Sequence, residues 1–378
     1  MKKKICAVIT NRASYGRIKT LLRELNLNKK IELQIIVGGS LLLYQFGKAV
    51  DIIEEDGFII SKKINFNLSG YDLVAQSKST GLAIIEITSA LNELKPDAVI
   101  TFADRFETMA TAISSTYLNI FLIHIQGGEI SGNIDDRVRH SISKLSDYHF
   151  PATNLSKLRL ISMGEVNKRI SMFGCPSIDL IKNTNLKISN KTMSKYGGTG
   201  SSVKWGLPYI LVLQHSVTTS FGESYKQMKI TLEALKKLPY QKIILWPNID
   251  AGSDDISKAI RELKESSKMG SFHFFRNFDP DDYLRVLANS ICAVGNSSSF
   301  LREGSFLGTP AVIIGDRQKN RESADNIVYS NYNKNNILKL VNKQINHGKY
   351  RKSLLFGNGN TSKKIATKIS RLDFSIVK

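Results

Sequence analysis

Three carboxylates follow short apolar runs in the first half of the chain. Asp104 comes after residues 97–102, Glu129 after residues 120–125, and Asp135 opens the helical stretch that follows. Carboxylates that meet in one cleft divide into acid and base when their surroundings push their proton affinities apart. Each taken singly also suits a helix cap or a partner for a helix dipole. Asp136, Arg137, Arg139 and His140 continue the same helix start. His124 lies inside an apolar run and reads as a core histidine.

A second set of residues suits an anion. Arg12 and Arg17 flank a helix start after the first apolar run, where free backbone N–H groups favour negative charge. The turn there carries no Gly-x-Gly-x-x-Gly fingerprint, so a dinucleotide cofactor is not indicated. Further on, Gly295-Asn296-Ser297-Ser298-Ser299 leads directly into Phe300-Leu301-Arg302-Glu303. A small-residue turn that opens a helix offers backbone N–H groups and hydroxyls, the parts of a diphosphate cradle. A plain serine N-cap is the other reading. Glu303 stands one turn further, where a carboxylate accepts from ribose hydroxyls, and Arg317 and Arg321 follow the next apolar run. His215 closes the run at residues 209–213, and Asn248 and Asp250 close the run at 241–246.

The elements that must hold these residues alternate along the chain. Short β-branched runs at residues 4–10, 31–37, 97–102, 120–125, 148–151 and 169–173 read as strands. Helical spacing appears at 18–26, 107–117, 136–145 and 155–163. The pattern restarts with strands at 209–213, 241–246, 271–275, 291–294 and 311–314. Helices at 223–237, 254–264, 280–287 and 300–306 separate them. Such alternation implies parallel sheets covered on both faces. The expected fold class is α/β, with two Rossmann-like domains and a ligand cleft between them. Residues 1–181 form the first domain. Residues 182–206, polar and aperiodic, form a linker or mobile loop. Residues 207–361 form the second domain, and 362–378 a basic helix that packs back on the first. In open α/β sheets ligands bind at the carboxyl ends of strands, which is where the candidate residues stand.

Composition narrows the class. The chain has 378 residues, 42% hydrophobic and 23% charged, the balance of an ordinary globular protein. No uncharged apolar stretch approaches a membrane span, and the basic N-terminus is followed by too short an apolar run for a signal peptide. Three widely spaced cysteines, Cys6, Cys175 and Cys292, form neither a zinc pattern nor a disulfide framework. These features point to a reducing, cytoplasmic compartment and to no metal site. The net charge of +20 raises nucleic acid as a partner. The excess lies mainly in residues 182–204, rich in Ser, Thr, Asn and Gly, and in the tail from Lys334, where Asp373 is the only acid. It reads as solvated surface.

At these residues the chain resembles the hydrolysing UDP-N-acetylglucosamine 2-epimerases. The resemblance runs from Arg12 to Arg321. It rests on His124-Ile125-Gln126-Gly127-Gly128-Glu129-Ile130-Ser131-Gly132-Asn133-Ile134-Asp135-Asp136, on Arg139-His140-Ser141-Ile142-Ser143-Lys144, on residues 246–253 and on residues 295–309. Within that family, Asn248-Ile249-Asp250-Ala251-Gly252-Ser253 and Arg302-Glu303-Gly304-Ser305 look nearest to enzymes acting on UDP-N,N'-diacetylbacillosamine. The resemblance implies a glycosyltransferase-B fold, a UDP-sugar substrate, no cofactor and a homodimer. It sets nucleic acid and membrane aside as partners. The sialic-acid enzymes of the family usually carry a catalytic Glu where this chain has Gln126. A neutral amide is no general base, so either Glu129 or Asp135 takes that work or the sugar differs.

The chemistry so implied is elimination of UDP, followed by hydration of the glycal with inversion at C2. Asp104 and Asp135 are then the acid–base pair, with Glu129 supporting and His215 facing the leaving diphosphate. Arg12, Asn248, Asp250, Ser297, Ser298, Ser299, Glu303, Arg317 and Arg321 hold the nucleotide. Three other readings compete: a retaining glycosyltransferase of the same fold, a nucleotide-sugar binding protein without turnover, and an RNA-binding protein.

Overall fold

The computed structural model describes residues 2–44, 49–69, 72–248, 250–266 and 270–375. Ile249 of the Asn248–Asp250 motif lies outside them. The elements run in chain order as β1 (Lys3–Ile9), α1 (Arg12–Leu27), β2 (Ile31–Gly38), α2 (Val50–Glu55), β3 (Lys62–Ile64), α3 (Leu73–Leu94), β4 (Ala98–Phe102), α4 (Phe106–Tyr117), β5 (Phe121–Ile125), α5 (Ile134–Leu145), β6 (Tyr148–Phe150), α6 (Asn154–Ser162) and α7 (Pro176–Asn183). They continue as α8 (Asn190–Met193), β7 (Thr199–Gly200), β8 (Tyr209–Leu213), α9 (Ser224–Leu235), β9 (Gln241–Leu245), α10 (Ser253–Glu265), β10 (Phe272–Phe275), α11 (Pro280–Asn289), β11 (Cys292–Gly295), α12 (Ser298–Leu301), α13 (Glu303–Leu307), β12 (Ala311–Ile314), β13 (Ile327–Ser330), α14 (Lys334–His347) and α15 (Thr361–Arg371).

Two units emerge. The first holds residues up to Ile130, Ile134–Lys182 and the chain from Phe356 on; the second holds Ser131–Asn133 and Asn183–Leu355. Among the described residues the first sheet is six-stranded, in the order β3-β2-β1-β4-β5-β6, and its strands pair in parallel. Alternate side chains leave each strand on opposite faces. Thus Ile5, Ala7 and Ile9 of β1 join one core with Ile100 of β4 and Ile123 of β5. Cys6 and Val8 join another with Val99 and Leu122. Helices α1 and α15 cover the first core, and α3 supplies Ala83, Ile87 and Leu91 to the second. Both faces are buried, which is why these strands read as unbroken apolar runs.

Among the described residues the second sheet is seven-stranded, in the order β13-β12-β11-β8-β9-β10-β7. Its strands are parallel except β7, which runs antiparallel to β10. Ile210 and Val212 of β8 face one core; Tyr209, Leu211 and Leu213 face the other.

Several expectations need revision. Residues 182–206 are not a separate linker: Lys182 belongs to the first unit, Met193 and Trp205 lie in a core of the second, and β7 extends its sheet. The strand expected at 169–173 is reduced to a single bridge between His149 and Ile170, preceded by a short 3-10 turn. The helix expected at 300–306 breaks at Arg302 into α12 and α13. Several contacts hold the return of the chain to the first unit, among them Thr361 Oγ1 donating to the Phe173 carbonyl at 2.9 Å. Asp179 accepts from the backbone N–H groups of Thr361 and Ser362, at 3.0 and 2.6 Å, and so caps α15.

Candidate active site

Strand order decides where each unit can bind a ligand. In the first sheet β1 lies between β2 and β4, so the chain turns one way after β1 and the other way after β4. That is a topological switch point, and the crevice beyond the carboxyl ends of β1 and β4 is the ligand position of such sheets. Arg12 opens α1 directly after β1, half-buried, behind Asn11, which caps the helix through Ser14 N at 2.8 Å. Asp104 follows β4 by two residues. Arg12 and Asp104 therefore flank the switch.

The structure gives Asp104 a partner that sequence reasoning did not single out. Arg139 of α5 is only 1% exposed, and its guanidinium pairs with Asp104. Arg139 also donates to Asp136 Oδ1 at 2.7 Å and to the Glu129 carbonyl at 2.7 Å. Burial disfavours its charge, but the Asp104, Glu129 and Asp136 carboxylates outweigh that cost, and its pKa is pushed upward. Arg139 thus gathers the ends of β4 and β5 and the start of α5. The Asp136–Arg139 spacing was legible as an i,i+3 helix pair. The link to Asp104 spans 35 positions and carries no local signal. Glu129 is buried, and Asp135 is half-buried in the first turn of α5.

His124 is the core histidine that its apolar setting suggested. It is fully buried, with Nδ1 at 3.0 Å from Ser143 Oγ and Nε2 at 2.9 Å from the Ala103 carbonyl. A carbonyl only accepts, so Nε2 carries the proton. Burial, ahead of its electrostatic neighbours, lowers its pKa to about 3, so the ring is neutral. Its bond anchors Ala103, a residue with φ of 68° that turns the backbone into Asp104. Gln126, with φ of 65°, makes the corresponding turn after β5. Its amide donates to Cys175 Sγ at 2.7 Å, and its oxygen is buried without a hydrogen-bond partner among the described residues. Gly128 is required beyond this turn, because a Cβ there would lie 2.3 Å from the Ser156 carbonyl.

The second sheet repeats the logic. Its switch point falls between β8 and β11. Gln214 and His215 follow β8, and Asn296 and Ser297 follow β11. Asn296 binds the His215 backbone on both sides: His215 N donates to Asn296 Oδ1 at 2.7 Å, and Asn296 Nδ2 donates to the His215 carbonyl at 2.8 Å. Asn248 N donates to His215 Nδ1 at 3.3 Å, which assigns the proton of a neutral ring to Nε2. Gly295, with φ of 138°, permits the approach of the two strand ends; a Cβ would sit 2.1 Å from the Leu213 carbonyl.

Ser297 is the N-cap of α12 and accepts from Ser299 N at 3.4 Å. The Ser299 hydroxyl lies among Ser297 Oγ and Tyr283 OH. Ser298 is half-buried at the first helical position. With α12 only four residues long, its N–H groups act locally and not through a long helix dipole. Glu303 is buried, and its Oε2 has no hydrogen-bond partner among the described residues. Arg317 reaches Asp250 at 3.9 Å, and Arg321 is buried beside the same turn after β12. Among the described residues no group of three or more His, Cys, Asp or Glu is placed to hold a metal ion, and no helix is long and apolar enough to cross a membrane.

Comparison with known proteins identifies the family. The family model described as UDP-N-acetylglucosamine 2-epimerase matches residues 23–370. A UDP-N,N'-diacetylbacillosamine 2-epimerase (hydrolyzing) of Legionella pneumophila is 32% identical over 96% of this chain and 94% of its own. A GDP/UDP-N,N'-diacetylbacillosamine 2-epimerase (hydrolyzing) of Campylobacter jejuni is 34% identical over 88% of this chain and 85% of its own. The crystal structure of a UDP-GlcNAc 2-epimerase from Methanocaldococcus jannaschii, in complex with UDP-GlcNAc and UDP, superposes with a TM-score of 0.82 at 18% identity. The match covers 97% of this chain and 99% of that one. The fold is accordingly α/β with two Rossmann-like domains of the glycosyltransferase-B type. A match over most of the chain, two relatives above 30% identity and this fold together place the chain in the UDP-N-acetylglucosamine 2-epimerase family.

Proposed function

We propose that the protein is a hydrolysing 2-epimerase of a UDP-2-acetamido sugar and releases the free 2-epimer for nonulosonic acid synthesis. UDP-N,N'-diacetylbacillosamine is the first candidate substrate, because the two relatives above are named for that sugar. UDP-N-acetylglucosamine is the second. One observation carries the reading beyond family membership: the Asp104–Arg139–Asp136 cluster sits at the switch point of the first sheet, where a ligand is expected.

The reaction is written in two steps. The C1–O bond breaks, UDP leaves with the bonding electron pair, and a carboxylate takes the C2 proton, which yields the glycal. Water then adds its hydroxyl at C1, and C2 receives a proton on the opposite face. A C2 proton is a weak acid, so departure of the diphosphate leads and C1 gains oxocarbenium character. Asp104, the partner of a permanently charged guanidinium, takes the base role, and Asp135 the acid role, with Glu129 supporting. Arg12, Arg317, Arg321 and the N–H groups after Ser297 balance the charge on the diphosphate. His215 presents Nε2–H toward that charge. Asn248, Asp250, Ser298 and Ser299 shape the nucleotide pocket, and Glu303 accepts from the ribose.

The test is incubation of purified protein with each UDP-sugar alone in deuterated water, followed by NMR. Free UDP and a 2-epimeric sugar with deuterium at C2 are expected. UDP release only with an added acceptor would establish a glycosyltransferase, and binding without release a nucleotide-sugar sensor. The family match favours the epimerase over both.

A further inference from the structure

Asp104 is the first residue after a strained turn. Ala103 before it has a φ of 68°, in the left-handed region that a residue with a side chain rarely adopts. Such a conformation persists only where its surroundings over-determine it. Here β5 does so with two consecutive residues. Ala103 N donates to the Ile125 carbonyl at 3.0 Å, and the Ala103 carbonyl accepts from His124 Nε2 at 2.9 Å. Both backbone groups of the turn are therefore fixed before Asp104 begins.

The imidazole is held in turn from α5. Its Nε2 carries the proton, so Nδ1 accepts, and it takes the hydroxyl of Ser143 at 3.0 Å. The Arg139 carbonyl, one turn back along the helix, lies at 3.0 Å from the same hydroxyl as its alternative acceptor. Gly127 closes the contact, because a Cβ there would lie 2.8 Å from both His124 Nδ1 and Ser143 Oγ. His124 and Ser143 are fully buried. An apolar side chain would fill this core position without burying polar atoms, so packing alone does not call for an imidazole. Arg139 stands four residues before Ser143 and pairs with the Asp104 carboxylate. One turn of α5 thus grips Asp104 twice. Arg139 takes the carboxylate directly, and Ser143 reaches the backbone through His124 and the Ala103 carbonyl.

We propose that His124 and Ser143 are positioning residues for the reaction: together they brace the Ala103 turn and so set where the Asp104 carboxylate stands against the C2 proton. This rests on the reading of Asp104 as the base. Proton transfer needs the base within hydrogen-bond reach of the proton it takes. A displacement of about 1 Å costs about 100-fold in rate. The brace therefore acts on the chemical step and leaves nucleotide binding alone. Neither residue touches the substrate; both work through the backbone that carries Asp104.

Steady-state kinetics of the full chain on the two candidate UDP-sugars, with UDP affinity by calorimetry, test this. The amide nitrogen of Asn falls near the place of Nδ1 and that of Gln near Nε2, so the two amides separate the two ring contacts. His124→Asn should lose the Ala103 contact and lower kcat about 100-fold, with KM and UDP affinity within a few-fold of wild type. His124→Gln should keep that contact and recover most of the loss. Ser143→Ala should lower kcat about tenfold, and Ser143→Thr should recover it. Ala103→Gly gives the readout that a purely structural role does not move. Glycine adopts positive φ without strain, so the thermal midpoint should hold or rise while kcat falls about tenfold. In each slowed variant the isotope effect on kcat from deuterium at C2 should grow, because proton transfer has become the slow step. Normal kcat in His124→Asn and Ala103→Gly, beside a wild type that turns over, overturns the brace alone. So does a loss of kcat matched by an equal loss of UDP affinity, or one with an unchanged isotope effect. A wild type that turns over neither UDP-sugar overturns the proposed function and the brace with it. If His124→Asn does not fold, Ala103→Gly and Ser143→Ala decide.

Discussion

Asn296 holds His215 by both backbone groups, with one amide oxygen on its N–H and one amide nitrogen on its carbonyl. This reciprocal pair joins the ends of β8 and β11, which are adjacent strands at the second switch point. Only a side chain with donor and acceptor side by side does this, so Asn296 is not a generic turn residue. Asn296→Ala should destabilise the fold by about 1–3 kcal/mol, because two buried backbone groups lose their partners. It should also lower kcat more than it raises KM, since His215 keeps its chemistry but loses its placement. Asn296→Asp, which keeps the acceptor alone, should fall between. Urea unfolding and steady-state kinetics measure both effects. An unchanged kcat beside lost stability would confine Asn296 to the fold.

Asp104→Asn should abolish turnover and leave UDP affinity within a few-fold of wild type by calorimetry. The proposed proton transfer is worth on the order of 100-fold or more, and binding of the nucleotide does not use it. The pairing with Arg139 adds a structural consequence. Asp104 is 17% exposed and Arg139 is buried, so the variant leaves a buried cation with less compensation. Stability should fall, and Arg139→Met combined with Asp104→Asn should recover part of it. Retained turnover in Asp104→Asn would sink the base role.

Glu303→Gln separates two meanings of a buried carboxylate. Its Oε2 has no hydrogen-bond partner among the described residues, so the fold gains little from the charge. Removing the charge should leave stability unchanged or raise it slightly. If Glu303 accepts from the ribose, UDP affinity should drop about tenfold, the weight of one hydrogen bond to a charged group. Full affinity for UDP in this variant would remove Glu303 from the nucleotide site.

The buried His124 predicts a slope of stability against pH. Its pKa is about 3 in the folded protein and near 6.5 in an unfolded chain. Between those values the unfolded chain binds the extra proton, so stability is full above about 6.5 and falls as pH drops toward 3. The slope from this one group is about 1.4 kcal/mol per pH unit. His124→Gln should flatten the urea midpoint between pH 6.5 and 4.5, where few carboxylates titrate. An identical pH profile in the variant would show that the ring is not held neutral.

Much of this protein was readable without coordinates. The strands at 209–213 and 311–314 match their observed limits, because strands buried on both faces are short apolar runs bounded by polar turns. The candidate residues after those runs stand at strand ends for the same reason. Helix α3 went unread, since its outward face is apolar and blurs the amphipathic period. The helix expected through Arg302 was read as continuous, because nothing in its residue types marks the break.

Residue order alone thus determined the α/β alternation, the two Rossmann-like halves and the strand ends on which function was sought. These depend on periodicity and turn chemistry, which act over a few residues. The tertiary structure alone decided strand order, and with it which ends meet: β1 with β4, and β8 with β11. It also decided that Asp104 finds Arg139, and that Asn296 finds His215, 81 positions away. Such pairings form when packed strands bring distant segments together, and the gain is the satisfaction of buried charge and backbone polarity.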